Sequence, residues 1–446
     1  MQDVEDRRQH QLDCMDALKQ KHKFAIFSAN GVLYHYDDQE GIWKSDGEEF
    51  VLTFINMFYQ AIKQEATNGD ASEILGWVKR EFYLPLEKFI SPENKICVLN
   101  GVLDLKTLTL EPFNSDYYFL KKLPICFDKL AICPKIDKFL SEVLKDENDV
   151  KAMHEWVGYH LTKGQKFQKS SLWIGIGKNG KTKLGELLRT FFGKEATVSL
   201  TLEELCNDKF ASAGLFDKIA NIGSELPRGR LKDTEIFKKL VGGDSISGQQ
   251  KFKDRFEFHN DAKLTFYGNE FPVLKNVNDT FAFFRRFLIW EFPNIFNGEK
   301  EDKNILEKIS TPEELSGMLN RAIEGLNRLE QNQKFSNEKP WEEIRSNYIL
   351  LSNLELAFID SEIEQDEDIY ILTDDCFEAY KTFCKKHNKQ PSSKSTLSNK
   401  IQESTSGKIA FRKVNDKTVR VYEGIKLKNS TALEHTEEKP LEEFSA

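Results

Sequence analysis

One eight-residue segment, Gly175–Thr182, constrains the fold of this chain more than any other part of its sequence. It reads Gly-Ile-Gly-Lys-Asn-Gly-Lys-Thr, with glycine at its first, third and sixth positions. Glycine tolerates backbone conformations that other residues avoid, so consecutive N–H groups of such a loop can converge on one point. An apolar run precedes the segment and a helical pattern follows it. The sequence therefore predicts a strand, a tight loop and a helix, in that order.

The residues on both sides of the loop support this prediction. Residues 171–174 read Ser-Leu-Trp-Ile, a short apolar run that indicates a buried strand. After the loop, apolar residues recur at intervals of three and four positions, which places them on one face of a helix. These residues are Leu184, Leu187, Leu188, Phe191 and Phe192. Gly193 is suited to end this helix.

The loop has the chemistry of a phosphate site. Its backbone N–H groups and the helix N-terminus both favour negative charge. We expect Lys181 to bridge the β- and γ-phosphates of ATP and the Thr182 hydroxyl to ligate Mg²⁺. The alternative is a glycine-rich turn without a ligand. The predicted cofactors are ATP and Mg²⁺, and the predicted nucleotide-binding residues are Gly175, Ile176, Gly177, Lys178, Asn179, Gly180, Lys181 and Thr182.

Hydrolysis of a nucleotide also needs a carboxylate near the metal and the attacking water. Glu225 ends a strand-like run and is the candidate for this base and for a metal ligand, directly or through water. Its neighbour Ser224 departs from the pair of adjacent acids that many phosphate-loop proteins carry. Asp217, at the other end of the same run, is a weaker candidate. A surface glutamate after a core strand is the alternative interpretation of Glu225.

Two further polar positions are candidates for catalysis. Asn269 follows an apolar strand-like run and could orient water near the γ-phosphate, although asparagine after a strand is often a turn residue. Arg285 and Arg286 lie among apolar residues, where arginine suits bidentate contact with phosphate. In a ring of subunits, Arg286 could reach a neighbour's ATP as an arginine finger. An ordinary ion pair is the alternative.

Basic charge is concentrated in two regions of an acidic chain. The 446 residues carry a formal net charge of −9, which argues against wholesale wrapping of nucleic acid. Residues 381–420 contain eleven Lys or Arg and two acids, and residues 226–256 contain eight Lys or Arg and four acids. Such islands are typical of a protein that contacts a polyanion at chosen places, and a solvated charged face is the alternative.

Each basic region contains a predicted hairpin. The first hairpin has the alternating sequence Lys251, Phe252 and Lys253, as expected of a basic tip. Phe252 would either pack against the protein or stack on a base. In the C-terminal region two predicted helices precede a strand pair around residues 415–417, which fits a winged helix. Docking of another protein is the alternative there. The residues expected to contact DNA are Lys251, Lys253, Arg255, Lys394, Lys400, Arg412, Lys413 and Lys417.

Composition excludes several other classes of protein. No run of 18 apolar residues is present, which argues against a transmembrane helix. The first residues lack the layout of a secretory signal. The seven cysteines are scattered without a Cys-x-x-Cys pair, so neither a zinc ribbon nor a disulfide framework is indicated, and a reduced intracellular compartment fits best.

In their order and spacing, these motifs resemble those of superfamily 3 helicases, and most closely the phage, plasmid and poxvirus primase-helicase group. The resemblance covers roughly residues 85 to 300. Within it, residues 243–254 look like the family's extra motif, Asn269 with Pro272 like its third motif, and Arg286 like its finger. Segments similar to the domain that precedes the motor are 100–105, 133–140 and 156–161.

The resemblance implies an α/β fold with a P-loop AAA+-like ATPase domain, a helical or mixed N-terminal region and a C-terminal winged-helix domain. We expect residues 1–150 to form the N-terminal region, with a collar or oligomerisation role and mostly helical up to about residue 85. Residues 151–330 form the ATPase and helicase domain, 345–428 the winged helix, and 429–446 a disordered tail. The roughly 85 residues before the resembling region are short for a catalytic primase, so we expect no primase activity.

The expected protein is a replicative DNA helicase of a virus, phage or plasmid, which couples ATP hydrolysis in a hexameric ring to translocation on single-stranded DNA and duplex unwinding. Its expected partners are single-stranded and forked DNA, further copies of itself, and a separate primase and other replication proteins acting in trans, without a membrane. Its expected location is the host cytoplasm or the site of viral or plasmid replication. The alternatives are an ATP-dependent initiator or loader, a scaffold that only holds nucleotide, and a motor that packages genomes.

Overall fold

The structure is a computed structural model, and it divides the chain into two compact units. The first comprises Met1–Asn269 with Leu274–Pro340, and the second comprises Glu270–Val273 with Trp341–Ala446. The described residues are 2–27, 31–84, 91–175, 177–208, 210–225, 230–231, 234–249, 255–269, 271–274, 281–298, 301–414 and 417–428, and the side chains of 2–4, 27, 224, 225 and 230 lie outside this description. Among the described residues, no helix has both the length and the apolar character that a membrane crossing requires.

The first unit begins with three helices and a small sheet. Its helices are α1 (Gln2–Lys21), α2 (Gly47–Ala61) and α3 (Asn68–Glu81), and its strands are β1 (Phe24–Phe27), β2 (Leu33–Asp37), β3 (Ile42–Lys44) and β4 (Tyr83–Leu84). The strand order is β3-β2-β1-β4, with β1 antiparallel to β2 and parallel to β4. The segment up to residue 85 is mostly helical as expected, and the short strands β1 to β4 were not predicted. These strands have at most five residues, too few for hydrophobic periodicity to separate strand from helix.

A second small sheet follows. It contains β5 (Lys95–Val98), β6 (Gly101–Asp104) and β7 (Leu110–Glu111), paired antiparallel in this order. The turn between β5 and β6 is formed by Leu99 and Asn100, because Val98 pairs with Gly101. Helices α4 (Pro134–Val143) and α5 (Glu147–Tyr159) connect this sheet to the central one.

The central sheet has five parallel strands. In chain order they are β8 (Ser170–Ile174), β9 (Thr197–Val198), β10 (Ala220–Glu225), β14 (Lys263–Gly268) and β16 (Phe287–Glu291), and in space the order is β16-β8-β14-β10-β9. The neighbouring pairs are all parallel, which confirms the predicted α/β class. Strand β14 lies between β8 and β10, although it follows both of them in the sequence.

Further elements connect these strands. Helices α6 (Lys181–Phe192), α7 (Leu202–Asn207), α8 (Glu235–Gly242) and α9 (Phe281–Phe284) are interleaved with the short strands β11 (Arg230–Leu231), β12 (Ser245–Gln249), β13 (Arg255–His259) and β15 (Val273–Leu274). The apolar face predicted for α6 is buried, from Leu184 to Phe192. It belongs to one core with α4, α5 and the central strands.

Two helices complete the first unit, α10 (Ile305–Ile309) and α11 (Pro312–Asn332). Helix α11 packs closely against α5 through glycines. A Cβ atom added to Gly158 of α5 would lie 2.2 Å from the carbonyl oxygen of Ala322, and one added to Gly325 of α11 would lie 2.6 Å from the backbone nitrogen of Glu155. The two backbones therefore touch where neither helix has a side chain.

The second unit combines four helices and a three-stranded sheet. Its helices are α12 (Trp341–Ser352), α13 (Leu354–Glu362), α14 (Thr373–Lys386) and α15 (Lys394–Ser404), and its strands are β17 (Ile363–Leu372), β18 (Lys408–Val414) and β19 (Lys417–Leu427). The sheet is antiparallel with the order β17-β19-β18. Two helices followed by a strand pair were predicted here and are present, whereas β17 was not predicted. The tail 429–446 lies outside the described residues.

Candidate nucleotide site

The glycine-rich loop joins the carboxyl end of β8 to the first residue of α6. Gly180 precedes the helix with a φ of 91°, and Gly175 has a φ of 155°. A Cβ atom would lie 2.6 Å from the carbonyl oxygen of Phe292 at Gly175, and 2.6 Å from a side-chain carbon of Val143 at Gly180. Glycine is thus required at both positions by conformation and by crowding. Ile176 lies outside the described residues.

Lys181 is buried at the start of α6, with 6% of its surface exposed. Its ammonium donates hydrogen bonds to the carbonyl oxygen of Gly175 at 2.5 Å, to Oδ1 of Asn179 at 3.1 Å and to Oδ1 of Asn269 at 3.3 Å. These oxygen atoms hold a positive charge directly over the loop. Thr182 is exposed in the same helical turn, so its hydroxyl is accessible from solvent.

A cavity of about 570 Å³ opens at this loop, a volume in the range of small-molecule sites. Gly177 to Lys183 form one side of it. Other lining residues were not predicted to belong to the site, and they include Phe139, Glu142, Val143, Tyr267, Phe296 and Ile305. The backbone N–H of Phe296 donates to the carbonyl of Lys178 at 2.9 Å and so ties this part of the lining to the loop. No pattern in the sequence places these residues at the loop, because they come from distant parts of the chain.

Sheet order brings Asn269 and Glu225 to the same edge as the loop. The carboxyl ends of parallel strands share one edge of a sheet, and Gly268 of β14 pairs with Ile174 of β8. Asn269 therefore lies beside the loop. Glu225 pairs with Tyr267 after an irregularity in β10, so its backbone lies one strand further along this edge. The side chain of Glu225 lies outside the described residues.

Asp217 lies at the opposite edge of the sheet, just before β10. Its carboxylate forms an ion pair with the ammonium of Lys121 at 3.0 Å. Burial raises the pKa of Asp217, and the charge of Lys121 opposes that increase. Asp217 is thus separated from the loop by the length of the strand. In the part of the chain that the structure describes, no cluster of three or more His, Cys, Asp or Glu residues could hold a metal ion.

Arg286 also lies at the edge opposite the loop. It directly precedes β16, whose first residue pairs with Ser170 at the start of β8. The five residues of β8 at about 3.3 Å each put Arg286 roughly 15 Å from the loop of its own chain. Arg286 is 8% exposed, and its guanidinium donates to the carbonyl of Ala282. Arg285 is half-buried and donates to Oε1 of Gln168 at 3.0 Å.

The predicted basic hairpin before β14 is present. Strands β12 and β13 pair antiparallel, and Arg255 at the start of β13 is exposed opposite Gln249. Lys251 and Lys253, expected at the tip, lie outside the described residues. The structure therefore describes one of the three cations proposed for this hairpin.

The C-terminal cations fall into two groups. Three of them pair with acids of the same unit: Lys394 with Asp374 at 2.5 Å, Lys400 with Glu403 at 3.1 Å and Arg412 with Glu423 at 2.7 Å. The other two, Lys413 and Lys417, are exposed. The positive charge that was evident in the sequence is thus partly compensated within the fold.

Three family models match this chain. A model described as D5 N terminal like matches residues 15–145, one described as Poxvirus D5 protein-like matches residues 352–438, and a family of unknown function, DUF5906, matches residues 173–286. The DUF5906 match contains the glycine-rich loop, and the two D5 models flank it. The family likeness thus extends beyond the expected 85–300 in both directions.

Comparison with individual proteins gives weaker likenesses. A protein of Acanthamoeba polyphaga mimivirus with the provisional name helicase L207/L206 is 28% identical over 144 residues, which are 31% of this chain and 15% of that protein. This chain therefore spans a small part of that relative.

Two solved structures of the NrS-1 C-terminal region, titled apo structures, share 12% and 13% identity with this chain. Both cover 92% of this chain and 97% of their own, with TM-scores of 0.46 and 0.45. At these values the family likeness depends on the D5 models alone. With matches to both the N-terminal and the C-terminal D5 models on either side of a glycine-rich loop, the chain is similar to the D5-like group of superfamily 3 helicases.

Proposed function

We propose that this protein is an ATP-driven DNA helicase of a virus, phage or plasmid, working as a hexameric ring inside the host cell. The observation that carries the proposal is the buried ammonium of Lys181, held over a loop of crowded glycines 3.3 Å from Asn269. An ammonium at the N-terminus of a helix, beside the backbone N–H groups of a glycine-rich loop, is suited to a ligand that brings negative charge.

The loop fits the phosphates of ATP. Gly175 and Gly180 leave space that a Cβ atom would fill, so backbone N–H groups can approach phosphate oxygens. Lys181 would exchange its contact with the Gly175 carbonyl for phosphate oxygens, and Thr182 would ligate Mg²⁺. Bound ATP supplies the phosphoanhydride bond whose hydrolysis releases free energy. Glu225 would accept the proton of the attacking water, and Asn269 would orient that water.

The position of Arg286 supports a shared site. Roughly 15 Å separates it from the loop of its own chain, which is beyond the reach of an arginine side chain. A second copy is therefore needed for Arg286 to contact phosphate. A ring in which each subunit's Arg286 faces the neighbour's ATP satisfies this requirement.

Two surfaces would contact DNA. The β12–β13 hairpin carries Arg255, with Lys251 and Lys253 expected at its tip. We propose that residues 345–428 form a winged helix, with α15 as the groove-facing helix and β18–β19 as the wing. The N-terminal residues 1–150 would serve as a collar, and residues 151–330 as the motor.

DNA-stimulated ATP hydrolysis with Mg²⁺, measured together with strand displacement on a forked duplex, tests the proposal. A helicase hydrolyses ATP faster with single-stranded DNA and separates the fork only with ATP. Hydrolysis without strand separation would instead support an initiator or loader. A chain that hydrolyses no nucleotide under either condition would contradict the proposal.

A further inference from the structure

Phe411 lies on β18 with 65% of its surface exposed. Among the described residues of the second unit, it is the one large hydrophobic side chain exposed to this degree. By contrast, Phe383 of α14 is 7% exposed and packs against Phe358. Phe411 therefore contributes its ring to the surface and not to the core.

Two neighbours of Phe411 on the same face are cations. Phe411 pairs with Arg420 across the β18–β19 ladder, and Lys413 lies two residues further along β18. Directly opposite residues and residues two apart share a face of a sheet. Arg420 and Lys413 are both exposed, and within the described part of the chain neither forms an ion pair with an acid. The ring is thus flanked by two cations that remain available to a ligand.

The other face of the same hairpin differs. There Arg412 pairs with Glu423 at 2.7 Å and lies 4.7 Å from the ring centre of Tyr370. Arg412 and Tyr370 thus have their interaction partners within the fold. The two faces of one hairpin therefore have different surroundings, and only the face of Phe411 presents an uncovered ring beside uncompensated charge.

We infer that Phe411 is a base-stacking residue, on which an unpaired base of a DNA strand stacks while Arg420 and Lys413 contact the flanking phosphates. This inference deepens the proposed function and rests on it. An aromatic ring can stack on any unpaired base, whereas bases within a duplex are already stacked on their neighbours. The hairpin thus selects single-stranded DNA, in contrast to a wing that contacts only the phosphates of duplex DNA.

Fluorescence anisotropy of the full chain without nucleotide tests this inference. The probes are a labelled strand of twenty thymidines and an abasic strand of the same length and charge. Phe411→Ala should weaken thymidine binding about tenfold, because it removes the ring on which one base stacks. It should leave abasic binding within about twofold, and Phe411→Trp should retain thymidine binding.

Control variants separate stacking from charge and from folding. Arg420→Ala should weaken both strands and lower the slope of log affinity against log salt by about one. Leu130→Ala, a truncation of another exposed apolar residue (86% exposed), should change neither strand.

If Phe411→Ala weakens both strands equally or neither, the stacking role is wrong. If it changes only the sedimentation coefficient, Phe411 is a contact with another chain and the stacking role is also wrong. Failure of the unmodified protein to bind either strand would instead overturn the proposed DNA-binding function.

Discussion

The ammonium of Lys181 and the side-chain oxygen of Asn269 lie 3.3 Å apart, joining the first turn of α6 to the end of β14 across 88 positions of sequence. If Lys181 binds phosphate, Asn269 must lie within reach of the γ-phosphate, because both side chains contact each other in one cavity. Replacing each residue with alanine should nevertheless have different effects on ATP binding and turnover, since only Lys181 carries a charge.

We predict that Lys181→Ala lowers ATP turnover about a hundredfold or more and also weakens ATP binding, since it removes a charged contact to the phosphates. Asn269→Ala should lower kcat with little change in ATP affinity, because it removes the orientation of water. Steady-state hydrolysis and equilibrium binding of a fluorescent ATP analogue measure the two effects. The exposed Lys194, beyond the end of the same helix, supplies the control Lys194→Ala, which should keep the original turnover. Equal loss of affinity in both variants would contradict separate roles.

The position of Arg286 leads to a complementation prediction. Arg286→Ala and Lys181→Ala should each be inactive alone, and an equal mixture should recover about a quarter of the original turnover, because a mixed ring contains sites with both residues intact. Recovery is measured as ATP hydrolysis after the two variants are assembled together.

Arg285→Ala is the matched comparison, since this arginine lies at the same sheet edge and is more exposed. If Arg285→Ala and not Arg286→Ala shows the complementation, Arg285 is the finger. Thermal unfolding of each variant separates this result from misfolding of a buried position.

Local pattern was sufficient for some parts of the fold and not for others. Strand β8, the loop and α6 follow from glycine spacing and apolar periodicity within about twenty residues. Strand β17 could not be predicted this way, because it is rich in acids that the fold compensates. Asp366 pairs with Lys426 of β19 at 2.9 Å, a contact between residues 60 positions apart.

The candidate site shows the same division. Lys181 was identified from its loop alone, whereas the proximity of Asn269 depends on β14 inserting between β8 and β10. That order is a property of sheet assembly and leaves no mark in the local sequence. The cavity walls from α4 and Phe296 were missed for the same reason, since they are ordinary apolar residues until the chain folds.

A pH-dependent stability is expected from Asp70 at the start of α3. The carboxylate is 1% exposed, accepts two hydrogen bonds from Arg7 at 2.8 Å, and forms a capping box with Thr67. Burial raises the pKa of Asp70, but the hydrogen bonds from Arg7 and Thr67 outweigh it and place the pKa well below its ordinary value. A carboxyl whose pKa is lower in the folded state stabilises the fold above the unfolded pKa of about 4, and this stabilisation is lost as the pH falls below that value.

We therefore predict that Asp70→Asn destabilises the protein by about 1–2 kcal/mol at pH 7, since Arg7 is partly solvated, and by less as the pH decreases from 5 towards 3. Urea unfolding at a series of pH values, followed through tryptophan fluorescence, measures the difference. The exposed Glu73 of α3 provides the control Glu73→Gln, which should change stability little at any pH. A difference between Asp70→Asn and the original protein that does not vary with pH would show that the charge of Asp70 is unimportant.

At the close contact between α5 and α11, we expect a Gly→Ala substitution to destabilise the protein, although alanine favours a helix more than glycine does. In an exposed helix, Gly→Ala is stabilising by about 1 kcal/mol. At Gly325 the added methyl group would lie 2.5–2.6 Å from backbone atoms of His154 and Glu155, which cannot move without separating the helices. We therefore expect Gly325→Ala to lower the free energy of unfolding by about 1–3 kcal/mol, measured by urea denaturation.

Gly214→Ala is the control, because the nearest atom to its added methyl group lies at 3.5 Å, an ordinary contact. Since α5 and α11 share a core with the loop-bearing α6, the Gly325→Ala chain should also lose ATP turnover at a lower temperature than the control. A variant as stable as the original protein would mean that the two helices separate freely and that this contact does not hold the core together.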